Sequence, residues 1–211
     1  MATDLYAISN IKTNKEEVLA NKEIYLEKLK ALKLEHITVF GRGKLSGDWD
    51  YEFPYTYDDK LDKIIPDKEA KELIFYTSPF EFDIRVYENC LELIIICRYR
   101  FLYEDEYRHL KFVQEDLLEF RKNIFDIISI FGGTEIIYLA DNSCDKLGTY
   151  LELWVWEGKS YNDVKKDIIR NNLPFRNDYL NLKLKDLSYN NITEVIYDDF
   201  KDLRKTENQN L

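Results

Sequence analysis

Two histidines, His36 and His109, and three cysteines, Cys90, Cys97 and Cys144, are the whole supply in 211 residues of the side chains that most often serve as general bases, thiol nucleophiles or soft metal ligands. So small a set restricts any general-base or metal scheme. The cysteines are odd in number and no two stand at CxxC spacing, which argues against a disulfide framework and a structural zinc site and fits a reducing compartment. Long apolar runs are missing as well. Leu91 to Cys97 is the longest near-apolar stretch, it contains Glu92, and it falls far short of the ~20 residues of a spanning helix. No apolar run of signal-peptide length follows a basic segment near the N-terminus. The expectation is a cytoplasmic protein with no membrane contact, no cofactor and no bound metal.

The charge balance is acidic. Forty Asp and Glu against thirty Lys and Arg give a formal charge of −10 and a pI near 4.9. Such a field repels phosphate backbones and anionic lipid and draws in basic proteins, so the expected partner is a basic protein and not nucleic acid. Hydrophobic residues at 45% and charged residues at 33% are the mixture of an ordinary packed domain. There is no internal repeat and no low-complexity linker. One domain over residues 1–203 with a frayed polar tail over 204–211 is the economical reading, residues 58–72 being the seam where an N-terminal lobe, 1–60, would separate.

The periodicities predict an α+β fold. A helix is expected over Lys15–Leu34, with Asn14 as N-cap, then a short strand Ile37–Phe40. Lys44–Asp59 reads as a long aperiodic loop and Asp67–Ala70 as a short helix behind Pro66. Phe82, Ile84 and Val86 alternate with charged residues, and the alternation resumes from Leu91 after Glu88-Asn89-Cys90. This predicts a central antiparallel hairpin over about 80–101, its second strand covered on both faces. A long core helix over about 104–131, stopped by Gly132-Gly133, packs against it. Strands follow at Thr134–Asp141 and Tyr150–Gly158. Ser160 with Asp163 opens a further helix to about Asn171, and Ile192–Tyr197 is expected to be an edge strand. The sheet is largely antiparallel.

Candidate sites are few. Gly41–Gly47, GRGKLSG, suggests a phosphate loop but has Thr38 and Leu45 where the motif needs glycine and a hydroxyl, so a glycine-rich turn is the reading. Asp48, Asp50 and Glu52 alternate, so an extended segment would aim all three carboxylates to one side, as a hard cation requires. A solvated or partner-facing acidic loop is the simpler account. His109 follows Glu104, Asp105 and Glu106, which would raise its proton affinity on a helix, but no nucleophile motif accompanies it. The polar loop Asp141–Asp145 has turn composition. Trp154 and Trp156 share a strand face opposite Leu151, Leu153 and Val155. They lie either under a helix or out at a partner, where Trp is a common anchor.

Elimination and charge lead to a binding protein without chemistry, most specifically an immunity or antitoxin-type protein that neutralises a basic, nuclease-like toxin. The expected partner-binding residues are Asp48, Trp49, Asp50, Tyr51, Glu52, Trp154 and Trp156, with core burial of Trp49 and Tyr51 as the competing account. The rival class is a small hydrolase or metal-assisted enzyme using Asp48, Asp50 and Glu52 or His109. A third is a phage-derived accessory or structural protein.

Overall fold

A computed structural model describes residues 4–32, 34–38, 41–44, 49–67, 69–70, 72–77, 82–96, 103–104, 109–110, 117–139, 153, 157–171, 175–176 and 195–207. Its frame is an eight-stranded sheet built from β1 (Asp4–Asn10), β4 (Trp49–Glu52), β7 (Leu73–Thr77), β8 (Phe82–Val86), β9 (Cys90–Ile96), β12 (Ile136–Leu139), β13 (Phe175–Arg176) and β14 (Val195–Asp198). The order across the sheet is β13-β14-β12-β1-β9-β8-β7-β4, and every pairing is antiparallel except β13 with β14. Three two-stranded hairpins stand apart: β2 (Glu35–Thr38) with β3 (Gly41–Lys44), β5 (Tyr55–Asp58) with β6 (Lys63–Pro66), and β10 (Tyr103–Glu104) with β11 (His109–Leu110).

The alternation in β8 and β9 works as the sequence predicts. Phe82, Ile84 and Val86 pair in register with Ile95, Leu93 and Leu91, and all six are buried. They join Leu5, Ala7, Leu73, Phe75, Ile136, Tyr138 and Ile196 to form one apolar face of the sheet. Helices α1 (Lys15–Ala20), α2 (Lys22–Lys30) and α3 (Leu117–Ile130) cover that face. Their contributions include Val18, Leu26, Leu29, Phe120, Ile124, Ile127 and Ile128, the helical spacing that puts apolar side chains on one stripe. The opposite face holds a smaller core of Ile8, Cys90, Ile137, Leu139, Val195 and Tyr197, closed by Val164 and Ile168 of α4 (Tyr161–Asn171). Strand β9 therefore lies between β1 and β8 with apolar side chains on both faces.

Glycine ends α3 by a Schellman turn. Gly132, at φ 76°, donates its N–H to the Ser129 carbonyl at 3.0 Å, and Gly133 donates to Ile128 at 2.9 Å. A Cβ on Gly133 would sit 2.8 Å from Ser9 Oγ and 2.9 Å from the Asn10 carbonyl, so β1 and the helix stop meet there without room for a side chain.

Several expectations are corrected. The N-terminal helix is two helices, because Asn21 leaves helical geometry (φ −118°, ψ 23°) while its amide Nδ2 donates to the Glu17 carbonyl at 2.9 Å. Asn14 does cap, its Oδ1 accepting from Glu17 N–H at 2.8 Å. The core helix is shorter than expected. Among the described residues it begins at Leu117, and residues 103–104 pair with 109–110 instead of continuing it. Apolar spacing over so short a span fits helix and strand alike. The expected loop 44–59 holds two strands, β4 and β5, separated by Phe53 and Pro54, and where a helix was expected over 67–70 the described residues 67, 69 and 70 are not helical, Ala70 N–H donating back to the Asp67 carbonyl at 3.3 Å. Strand β14 is interior, flanked by β12 and β13 with all four residues buried. The chain after it runs into α5 (Lys201–Glu207).

Candidate functional site

Strand β4 is extended, so its side chains alternate across the sheet. Trp49 and Tyr51 point to the helical core. Trp49 is 4% exposed and stacks on Phe82 with ring centroids 6.4 Å apart. Tyr51 is half-buried, lies over Phe75, donates to Glu23 Oε1 at 3.2 Å and carries Lys22 Nζ 5.6 Å from its ring. The expectation that these two aromatics stand out among the carboxylates is corrected, because alternation sends Trp49 and Tyr51 inward in order to send Asp50 and Glu52 outward. Asp48, Trp154 and Trp156 lie outside the described residues, as does the loop 141–145.

Asp50 and Glu52 do share a face, and the sheet adds to them. Asp50 pairs with Tyr76, which pairs with Asp83; Glu52 pairs with Ile74, which pairs with Arg85, which pairs with Glu92. Two parallel rows result, Asp50–Tyr76–Asp83 and Glu52–Ile74–Arg85–Glu92. Asp50 is exposed, and Glu52, Ile74, Tyr76, Asp83 and Arg85 are half-buried. The described helix on this side, α4, packs at the other end, on β1, β12 and β14. Burial, followed by the negative charge of Asp50 and Glu52 and by Tyr55 and Asp83, raises the Tyr76 phenol above its ordinary pKa. Tyr76 is thus an aromatic ring set among carboxylates.

Arg85 is the cation of these rows, and it is engaged. Its Nη1 lies 3.9 Å from Glu92 Oε2, and Tyr87 donates its hydroxyl to the same oxygen at 3.1 Å. Glu92 is buried, and that burial raises its carboxyl pKa against the opposing pull of Arg85 and Tyr87. The cation therefore faces the buried Glu92 and also feels Asp83 of its own strand, while Asp50 and Glu52 stand on β4 at the end of the sheet. Over residues 48–85 eleven acidic side chains face five basic ones, a net charge of −6 out of the chain's −10.

Beyond β4 the chain leaves the sheet as the β5–β6 arm. Its strands are bracketed by Pro54 and Pro66, and the Pro54 carbonyl accepts from Asp67 N–H at 2.7 Å at the root. Only Phe53 and Pro54 separate Glu52 of β4 from Tyr55, the first residue of the arm, so the arm continues directly from the acidic rows.

The other candidates separate from this surface. His36 lies on β2 opposite Gly43, and His109 lies on β11 opposite Glu104, not on a helix. Gly41–Lys44 is strand β3 where a glycine-rich turn was expected, and residues 45–47 lie outside the described residues. Among the described residues no group of three or more His, Cys, Asp or Glu side chains could hold a metal ion, and no helix is long and apolar enough to cross a membrane. A second polar cluster surrounds Glu135, whose Oε2 accepts from Tyr197 at 2.5 Å, Tyr161 at 2.6 Å and Lys165 Nζ at 2.9 Å. It ties α4 to β14 and the start of β12. Burial alone would raise the Glu135 carboxyl, but these three donors and the Lys165 charge hold it below the usual carboxylate value.

Asp50 and Glu52 are among the residues the sequence singles out, whereas Tyr76, Asp83 and Tyr55, which the fold places beside them, are not. The alternation of Ile74 and Tyr76 against Leu73, Phe75 and Thr77 was a strand signal, but the neighbourhood depends on β4 pairing with β7, which no local pattern states. Set against models of known protein families, curated proteins and solved structures, the chain matches none.

Proposed function

We propose that this protein acts by binding a basic protein partner, through the acidic and aromatic half-face formed by Asp50, Glu52, Tyr76 and Asp83 and continued by the arm. The observation that carries the reading is the register Asp50–Tyr76–Asp83 beside Glu52, which sets carboxylates from two strands, β4 and β8, on either side of one partly accessible ring on β7. Carboxylates of one sign on a shared face attract a cationic surface from a distance and fix its orientation, and a tyrosine held by its strand adds contact area at small entropic cost.

Within that reading, the most specific form is an immunity or antitoxin-type protein that covers the basic substrate cleft of a nuclease-like toxin. Charge complementarity supports it, since a cleft built for phosphate backbone presents the Lys and Arg that this face would meet.

Affinity capture tests the reading. The chain, immobilised and exposed to extract from its own cells at low salt, is expected to retain a cationic protein that about 0.5 M salt elutes, and the Asp50→Lys/Glu52→Lys variant is expected not to retain it. Retention of acidic proteins alone, or equal retention of the cationic one by the charge-reversed variant, contradicts the proposal.

A further inference from the structure

The β5–β6 arm carries an ordered apolar strip. Alternation puts Tyr55 and Tyr57 on one side of β5, and pairing sets Tyr57 opposite Ile64 and Tyr55 opposite Pro66. These four side chains form one face, with Tyr55 62% exposed, Tyr57 54%, Ile64 67%, and Pro66 also in the open. Leu61, at the tip, is 58% exposed. Single exposed apolar residues are ordinary. A contiguous strip of them on a hairpin outside the main sheet marks a contact surface.

The arm is also fixed in shape. Asp58 Oδ1 accepts from the N–H groups of Lys60 at 2.9 Å and Leu61 at 3.1 Å, and the Tyr57 hydroxyl donates to the Asp62 carboxylate. Asp62 closes the turn with φ 49°, a conformation that Asp tolerates better than most side chains. A strip so preorganised loses little freedom on docking.

We infer that the Tyr55–Tyr57–Ile64–Pro66 face is the apolar anchor that seats against an exposed apolar strip flanked by Lys or Arg on a partner protein. The inference rests on the basic-partner reading above and names what the arm adds to it. Charge selects this occupant. The arm rises from a segment of net charge −6, which opposes a second copy of the same surface, nucleic acid and anionic lipid, and favours a cationic polypeptide.

Two labelled peptides of equal positive charge are the probes: one alternates Lys with Leu, the other is oligolysine with Ser spacers. Fluorescence anisotropy is expected to show the Lys-Leu peptide bound about tenfold more tightly than the Lys-Ser peptide. Tyr57→Ser/Ile64→Ser is expected to abolish that advantage without changing the Lys-Ser affinity, and Asp50→Lys/Glu52→Lys to weaken both. Thr56→Ser, on the other face of the arm, is expected to change neither. Should the double variant fail to fold by circular dichroism, Tyr55→Thr/Ile64→Thr, which keeps β-compatible side chains, gives the same readout. Equal binding of the two peptides by the wild-type protein, or an advantage that survives the substitutions, overturns the anchor while leaving the basic-partner reading intact. Binding of neither peptide overturns both. A dimer in sedimentation that Ile64→Ser dissociates assigns the strip to a second copy and overturns the proposal.

Discussion

Arg121 and Asp198 form a buried, two-pronged ion pair, with Nε 2.6 Å from Oδ2 and Nη2 3.1 Å from Oδ1. Arg121 has 0% exposure, and its remaining donors reach Asp202 at 2.8 and 2.9 Å. The pair fastens α3 to the end of β14 and the start of α5. Arg121→Leu leaves the Asp198 carboxylate buried without its cation and is expected to cost about 3–5 kcal/mol. Asp202 is half exposed, so Asp202→Asn is expected to cost about 1 kcal/mol or less. Urea denaturation of the two variants checks the order.

Acid stability has an identifiable source in Glu135. Burial opposes ionisation, but Tyr161, Tyr197 and Lys165 hold the folded-state pKa below the ordinary one. A depressed carboxyl contributes stability above its unfolded pKa and loses it as pH falls through the folded value. The window is therefore from the ordinary value of about 4 downward. Glu135→Gln is expected to lower the melting temperature at pH 7 and to show a smaller further loss between pH 5 and pH 3 than the wild-type protein.

Glu92 has the opposite sign. Burial raises its pKa despite Arg85 and Tyr87, so its contribution is fully present below the unfolded pKa and is lost as pH rises through the folded value. Glu92→Gln keeps the shape and an acceptor for Tyr87. It is expected to melt at or above the wild-type temperature at pH 7 and to lose that advantage at pH 3, where the wild-type carboxyl is protonated. A clear fall at pH 7 would show that the Arg85 pair outweighs the burial.

Tyr138 lies in the core against Phe120, ring centroids 5.8 Å apart, and its hydroxyl has no hydrogen-bond partner among the described residues. An unpartnered buried hydroxyl is a cost, so Tyr138→Phe is expected to be neutral or to stabilise by about 1 kcal/mol. Calorimetry decides it.

The sheet's centre is legible in sequence because Phe82, Ile84 and Val86, and then Leu91, Leu93 and Ile95, alternate over enough residues to exclude a helix. The Asn14 cap and the Gly132-Gly133 stop are legible because single side chains and a single φ decide them. What escapes is short or relational. Trp-Asp-Tyr-Glu at 49–52 alternates, but four residues beside prolines and carboxylates resemble a loop until β7 is found to pair with them. Asn21 breaks a helix whose apolar spacing runs on through it. Val195–Asp198 reads as an edge because its partners, β12 and β13, are distant in sequence or two residues long. The acidic rows depend on three strands meeting in one register, so Asp50 and Glu52 were visible and their neighbours Tyr76 and Asp83 were not. The arm did leave a signal, an Asp- and Lys-rich turn between Tyr-Thr-Tyr and Ile-Ile-Pro, short enough to pass as loop.

The central claim, that the Asp50, Glu52 and Asp83 carboxylates steer a basic partner onto this face, is tested most directly by stopped-flow association rates measured against ionic strength. With the captured cationic protein as ligand, the wild-type rate is expected to fall steeply as salt rises. The Asp50→Lys/Glu52→Lys/Asp83→Lys variant, folded by circular dichroism, is expected to associate at least about tenfold more slowly at low salt and with a nearly flat salt dependence. Rates and salt slopes that are the same for both proteins would contradict the account.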